Sequence, residues 1–397
     1  MYKKNLLKLK KVFLILFVFS LPFEYWDPFG IASFFTVTKM AGFGYAALAL
    51  LNIKDSFDVS FFKYVRYLIL FWIWLVLINM FNYIGTNTVS VFNFTLFQNI
   101  ILYWLIASDL KNRNIQIKSL LFTFVLAVIL MSILLSLGIG VGQEYIEGVS
   151  RITFFGNNPN VVGILAGLAI VFSLYFILNP NKTFGKKGYL LLFALPPFVN
   201  LLLLSASRGA LITTACALVV MLIMNKTTSF KRILQVGFLI IAAIYFMEKL
   251  VESELIYKRM TQFIEEGNTA GRGDIWEVLF EVSLQRPLIG FGETGFETEM
   301  IKYYGAQKSA HNLFLEILVT TGIIGLSVFL YFLYFHIKKS AQNFRQGDVL
   351  KVVLMIFYLT TVVKAGGVMG NKLMWLLLAI IIASDLTNIK PNMKITK

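Results

Sequence analysis

Long apolar runs recur along this chain with short polar breaks between them. They fall near residues 12–26, 33–51, 64–83, 90–107, 118–138, 159–178, 188–204, 209–224, 232–250, 311–336, 350–368 and 371–387. A helix needs about 20 apolar residues to cross a bilayer, so the pattern predicts twelve spans. Ser205-Ala206-Ser207-Arg208-Gly209 divides what would otherwise be one run into the seventh and eighth. Residues 251–310 form the one long connection, and there apolar positions recur at helical spacing: Ile256, Met260, Phe263, Ile264, then Ile275, Val278, Leu279, Val282. Asp274 with Glu277, and Thr294 with Glu297, have the spacing of a capping box that opens a helix. The expectation is an all-α integral membrane protein of about 12 transmembrane helices. Residues 1–250 hold helices 1–9, residues 251–310 an amphipathic helical cap in the large outer loop before helix 10, and residues 311–397 helices 10–12. Together they make one integrated membrane domain.

Composition sharpens this reading. Of 397 residues, 58% are hydrophobic and 14% charged, against about 45–50% and about 25% in soluble domains. A soluble enzyme, a disordered tail and a disulfide scaffold are all excluded. Cys216 is the single cysteine. The formal charge of +15 would suggest nucleic acid in a soluble protein. Here 24 of the 36 basic residues fall in alternate connections and at the two ends, including Lys3, Lys4, Lys8, Lys10 and Lys11. Cytoplasmic loops collect Lys and Arg, so the charge is an orientation signal. It predicts both termini in the cytoplasm of a multi-pass inner-membrane protein and no nucleic-acid partner. No small-x-small site follows the basic start, so the first run is read as an uncleaved span.

Few residues offer chemistry. Gly290-Phe291-Gly292-Glu293-Thr294-Gly295 spells a dinucleotide fingerprint, but no strand is expected before it, and a turn between two cap helices is the better reading. Glu297 and Glu299 are read as a solvated helix face, so no metal site and no cofactor is expected. His336 is read as an interfacial side chain at the cytoplasmic end of span ten. His311 opens the same span on the outer face, either as a plain helix-start residue or as a base. A helix N-terminus disfavours imidazolium and keeps the ring able to accept a proton. Arg208 lies among Ser205, Ala206, Ser207, Gly209 and Ala210, and Arg272 between Gly271 and Gly273. Two outer arginines among small residues suit a phosphorylated ligand, or are merely interfacial. Lys39 and Glu316 are charges within spans, costly to bury and hence candidates for function, although Lys39 can also snorkel to the interface.

Six short motifs, in this order, resemble the O-antigen ligase/polymerase superfamily of bacterial membrane glycosyltransferases: Gly156-Asn157-Asn158-Pro159-Asn160, Ser205-Ala206-Ser207-Arg208-Gly209-Ala210, Arg272-Gly273-Asp274-Ile275-Trp276, Arg286-Pro287-Leu288-Ile289-Gly290-Phe291-Gly292, His311-Asn312-Leu313-Phe314-Leu315-Glu316 and Thr321-Gly322-Ile323-Ile324-Gly325. The resemblance covers roughly residues 150–335. It implies a metal-independent inverting transfer of a glycan from undecaprenyl pyrophosphate to a sugar hydroxyl at the outer face. His311 would be the base, and Arg208 and Arg272 would hold the pyrophosphate. Asn160, Arg286, Asn312 and Glu316 would contact substrate, with membrane lipids around the polyprenyl tail. A ligase acting on lipid A–core is favoured over a polymerase joining lipid-linked repeat units. A twelve-span lipid-glycan transporter is the rival from another class, but transporters place their sites near the midplane between repeated halves. This chain shows no repeat by eye and gathers its informative residues at one face.

Overall fold

The computed structural model describes residues 2–30, 35–82, 92–146, 149–180, 184–224, 272–364 and 368–383. Its helices of ten residues or more begin with α1 (Tyr2–Ser20), α2 (Val37–Leu50), α3 (Phe62–Phe81), α4 (Phe94–Lys111) and α5 (Ile117–Ser136). After a β-hairpin come α6 (Pro159–Leu178), α7 (Leu195–Leu204, continuing a 3-10 helix Gly185–Ala194) and α8 (Arg208–Met224). Then follow α9 (Arg272–Gln285), α10 (Gly292–Tyr304), α11 (Leu313–Arg345), α12 (Leu350–Val362) and α13 (Lys372–Ile382). Eleven of the twelve apolar runs thus coincide with helices. The ninth run, 232–250, and the first cap helix, near 256–264, lie outside the described residues.

Among the described residues, five helical segments are long and apolar enough to cross a membrane: Val59–Phe81, Ile117–Ser136, Pro159–Leu178, Gly185–Leu204 and Leu313–Arg345. Several helices are apolar on their outside as well. Leu70, Ile73 and Leu77 on α3, Leu126 and Ile133 on α5, and Val219 and Ile223 on α8 are exposed. Helices that are apolar all round belong in lipid, so the chain is a multi-pass membrane protein.

Two helices form the centre. In α6, 83% of the apolar window is buried, against α5, α7, α8 and the hairpin. In α13 every residue from Leu373 to Ile382 is buried, against α4, α11 and α12. Gly163 and Gly167 let α6 lie close to α8. A Cβ on Gly163 would come within 2.6 Å of Ser205 Oγ, and one on Gly167 would overlap Thr214 Oγ1. Small residues at four-residue spacing are how membrane helices approach closely.

Several local expectations need correction. Strands β1 (Val141–Ile146) and β2 (Val149–Phe154) pair antiparallel, an element the helical reading did not contain. Asp274 lies within helix α9 and Thr294 within the first turn of α10, which starts at Gly292, so neither caps its helix. His336 is fully buried. Its ring lies 3.0 Å from the Tyr103 hydroxyl and 3.0 Å from the Phe332 carbonyl, and α11 continues past it to Arg345, so it packs the core. Lys10, expected among the loop cations, is buried in an ion pair with Asp109 at 2.9 Å, and the Tyr45 hydroxyl donates to the same carboxylate at 2.6 Å. Lys351 is also buried, donating to the Ala383 carbonyl.

Helix α11 is broken. Gly322 has φ 65° and ψ −172°, and the groups released there bond to the turn between α9 and α10. Ile323 N donates to the Pro287 carbonyl at 2.8 Å, and Phe291 N to the Val319 carbonyl at 2.8 Å. Trp74 Nε1 on α3 donates to the Thr321 carbonyl at 3.0 Å. Backbone polar groups at membrane depth must find partners within the protein, and this turn supplies them. A side chain at Gly322 would overlap the Leu288 carbonyl. Two motifs separated in the sequence, Arg286–Gly292 and Thr321–Gly325, are therefore one device.

Candidate active site

The site is assembled from segments that are each fixed locally. Gly156 has φ 82°, a left-handed turn that glycine adopts freely. Asn157 Nδ2 then donates to the Pro22 carbonyl at 2.9 Å, tying the segment to the end of α1. Phe154 and Phe155 pack on Phe23 and Trp26. Asn158 caps α6 by accepting from Val161 N at 3.1 Å, and Pro159 occupies the first helical position, where a missing N–H costs nothing. Asn160 is thereby set on the first turn of α6.

The Asn160 carboxamide oxygen is shared. It accepts from Ser207 Oγ at 3.0 Å and from an Arg151 terminal nitrogen at 2.9 Å. Arg151 Nε donates to the Ser205 carbonyl at 3.1 Å. Ser207 Oγ also accepts from Ala210 N at 3.3 Å, capping α8. The result fixes the hairpin around Ala206, whose φ is 45°, and presents half-buried Arg208 at the N-terminus of α8. An arginine side chain and the exposed N–H groups of a helix start both favour an anion.

Arg272 and Trp276 lie one turn apart on α9. Trp276 Nε1 donates to the Ala310 carbonyl at 2.9 Å, drawing the segment before α11 against α9. His311 follows with φ 49°, and Asn312 caps α11 by accepting from Phe314 N at 3.0 Å and Leu315 N at 3.3 Å. This places the His311 ring beside Arg272. Burial first, and the Arg272 charge second, push the His311 pKa down to about 4. The ring is neutral at pH 7, as the sequence suggested, though burial and Arg272 are the operative causes.

Lys364, just past the end of α12, lies within electrostatic reach of both Arg272 and Arg208. Gly209 packs against it: a Cβ there would sit 3.6 Å from Lys364 Cβ, ordinary van der Waals contact. Arg208, Arg272, Lys364 and His311 therefore share one end of the bundle, with Asn160 joined to Arg208 through Ser207. A ring of cations beside a neutral imidazole can bind a polyanionic group and accept a proton next to it.

The other candidates are placed differently. Arg286 stacks 4.7 Å over the Phe291 ring and donates to Asn82 Oδ1, within the turn that completes α11. Glu316 lines a separate cavity with Glu293 and Glu297. Glu299 pairs with Lys302 at 3.4 Å. Gly290 and Gly292 have φ 71° and 72° and form the turn between α9 and α10 that was expected of the glycine-rich stretch. Two site residues escaped the sequence reading. Neither Arg151 nor Lys364 was given a part in the site by the sequence.

A family model described as O-antigen ligase matches residues 190–330. The matched stretch contains Arg208, Arg272, His311 and both halves of the α11 break, and leaves Arg151, Asn160 and Lys364 outside it. No curated protein matches the chain.

Proposed function

As the chain belongs to the O-antigen ligase/polymerase superfamily, we propose that it transfers a glycan from undecaprenyl pyrophosphate to a sugar hydroxyl at the outer face of the bacterial inner membrane. The observation that carries this reading is the gathering of Arg208, Arg272 and Lys364 beside His311. The acceptor oxygen attacks the anomeric carbon of the donor, and its proton passes to the His311 ring. The bond from that carbon to the pyrophosphate breaks, its electron pair leaving with the phosphate oxygen. One displacement inverts the anomeric centre. Arg208, Arg272 and Lys364 hold the charge that builds on the departing pyrophosphate, which is stabilisation by preorganised electrostatics. This gives the leaving group its positive counterpart without a metal ion or cofactor. Asn160 acts on the donor side through Ser207 and Arg208, Asn312 sets the entry to α11, and α9 and α10 cover the glycan. Of the two family activities, ligation to lipid A–core is our first reading and polymerisation of lipid-linked repeats the second.

The test is a reconstitution in lipid nanodiscs with a lipid-linked glycan donor, following release of undecaprenyl pyrophosphate. Arg208→Lys and Arg272→Lys keep the charge and lose the two-pronged geometry, so turnover should fall strongly. Both variants working at the normal rate would refute the assignment. A deletion strain separates the two activities: polymer on lipid carrier with bare core marks a ligase, and core bearing one repeat unit marks a polymerase.

A further inference from the structure

A groove of about 710 Å³ runs between α5 and the 3-10 helix that continues into α7, within the size range of small-ligand sites, roughly 300–1,000 Å³. Its two walls run the same way. Helix α5 ends at the β1–β2 hairpin, whose Arg151 joins the Ser205–Arg208 turn, and Gly185–Leu204 ends at that same turn. The starts of both segments therefore lie at the end of the bundle away from the candidate site.

The walls are apolar almost throughout. Leu126, Ile129 and Ile133 form one side, and Leu190, Leu191 and Phe193 the other. Ser132 and Ser136 also line the groove, but their hydroxyls are engaged within α5, donating to the Val128 and Ser132 carbonyls at 2.9 and 3.0 Å. From Phe122 to Leu137 the α5 wall is about 22 Å long at 1.5 Å per residue. An acyl chain from one leaflet of a hydrocarbon core about 30 Å thick can lie along it.

Charge is confined to the end away from the site. Lys187 is the one charged residue lining the groove among the described residues. Lys186 precedes it, exposed. Lys118, in the first turn of α5, stands 5.7 Å over the Phe184 ring, which lines the groove as well. That ring is fixed, stacking on Phe176 at 5.3 Å and meeting Phe122 edge-on at 4.9 Å. The opposite mouth is lined by Ser136 and Leu137.

Any lipid can fill an apolar groove at membrane depth; lysines at one mouth select among lipids. Each basic residue near a membrane surface changes affinity for anionic headgroups about five-fold. We propose that the groove seats one anionic phospholipid, with its phosphate on Lys187 and Lys118 and an acyl chain along α5 and α7. The donor's tail is the wrong way round for this seat, because its pyrophosphate, on the reading above, lies at Arg208 and Arg272, at the other end of the bundle.

The experiment measures lipid binding, not transfer. Full-length protein in a neutral detergent is titrated with phosphatidylglycerol, phosphatidylcholine and undecaprenyl phosphate, and retained lipid is counted by native mass spectrometry. Phosphatidylglycerol should bind once, about ten-fold or more tightly than phosphatidylcholine, and should raise the melting temperature. Lys118→Gln and Lys187→Gln should each weaken phosphatidylglycerol about five-fold and leave phosphatidylcholine unchanged, while Lys187→Arg keeps the preference. Ser132→Phe, which places a ring in the groove, should weaken both phospholipids; its melting temperature without lipid reports whether it has folded. The proposal is overturned by equal binding of the two phospholipids, by lysine variants that bind as the parent does, or by a folded Ser132→Phe protein that still retains phosphatidylglycerol. Displacement of phosphatidylglycerol by undecaprenyl phosphate overturns it too, and gives the groove to the carrier lipid.

Discussion

At the scale of single residues, the His311 ring should betray its surroundings by titration. The chain has two histidines, so ring resonances assign readily by a His311→Gln comparison. A histidine held down to about 4 stays neutral as pH falls through its ordinary 6.5 and protonates only below 5. The acid limb of kcat/KM, which reports the free enzyme, should therefore lie near 4. Bound pyrophosphate offsets the Arg272 charge, so the limb of kcat should lie higher. A common limb near 6.5 would mean an exposed ring. His311→Gln should lower turnover about 10²–10⁴-fold. Arg151 makes a second prediction. Its bonds to Ser205 and Asn160 are charge-assisted, worth about 1.5–3 kcal/mol each, and Lys cannot make both. Arg151→Lys should cut kcat about ten-fold or more in protein that remains folded. A lowered melting temperature with normal kcat would reduce Arg151 to a structural role. His311, Arg208 and Arg272 were legible in the sequence because each lies in a short motif of unusual composition. Arg151 was not, because its partner Ser205 is 54 positions away and nothing local announces the contact.

At the scale of elements, apolar runs located the helices well, since burial in lipid needs only length and hydropathy. Helix starts were less legible. Gly292 begins α10 ahead of Thr294, and Asp274 lies within α9, so neither residue that looked like a cap is one. The hairpin was missed because Val141–Phe154 mixes glycine, charge and aromatics without steady alternation. The close seam between α6 and α8 gives a direct test. Gly167→Ala drives a methyl into Thr214 Oγ1, and overpacking of this kind costs about 1–3 kcal/mol. Its melting temperature should drop, and adding Thr214→Ala should restore most of the loss. If the double variant were no better than the single, the seam would lie elsewhere. Because the seam carries the Ser205–Arg208 hairpin, Gly167→Ala should also slow transfer.

At the scale of the whole molecule, the ionic groups divide by role. Lys10, Asp109 and Lys351 are buried and structural, whereas the cations around His311 collect at one end of the bundle. A membrane-impermeant thiol reagent should modify Glu297→Cys in a Cys216→Ser background from outside cells, and spare Lys187→Cys. The reverse result would put the site in the cytoplasm and rule out an acceptor on the outer face. The break in α11 turns the helix into two rulers with separate scales. Leu313–Thr321 spans about 13 Å and Ile323–Arg345 about 34 Å at 1.5 Å per residue. The longer ruler runs from the break to the basic end at Lys338, Lys339 and Arg345, and the shorter one sets how high His311 stands above the break. A residue lost from the long piece is absorbed by a change of tilt. A residue lost from the short piece lowers His311 by about 1.5 Å and turns it by about 100°. The height of His311 is thus graduated by the short piece alone.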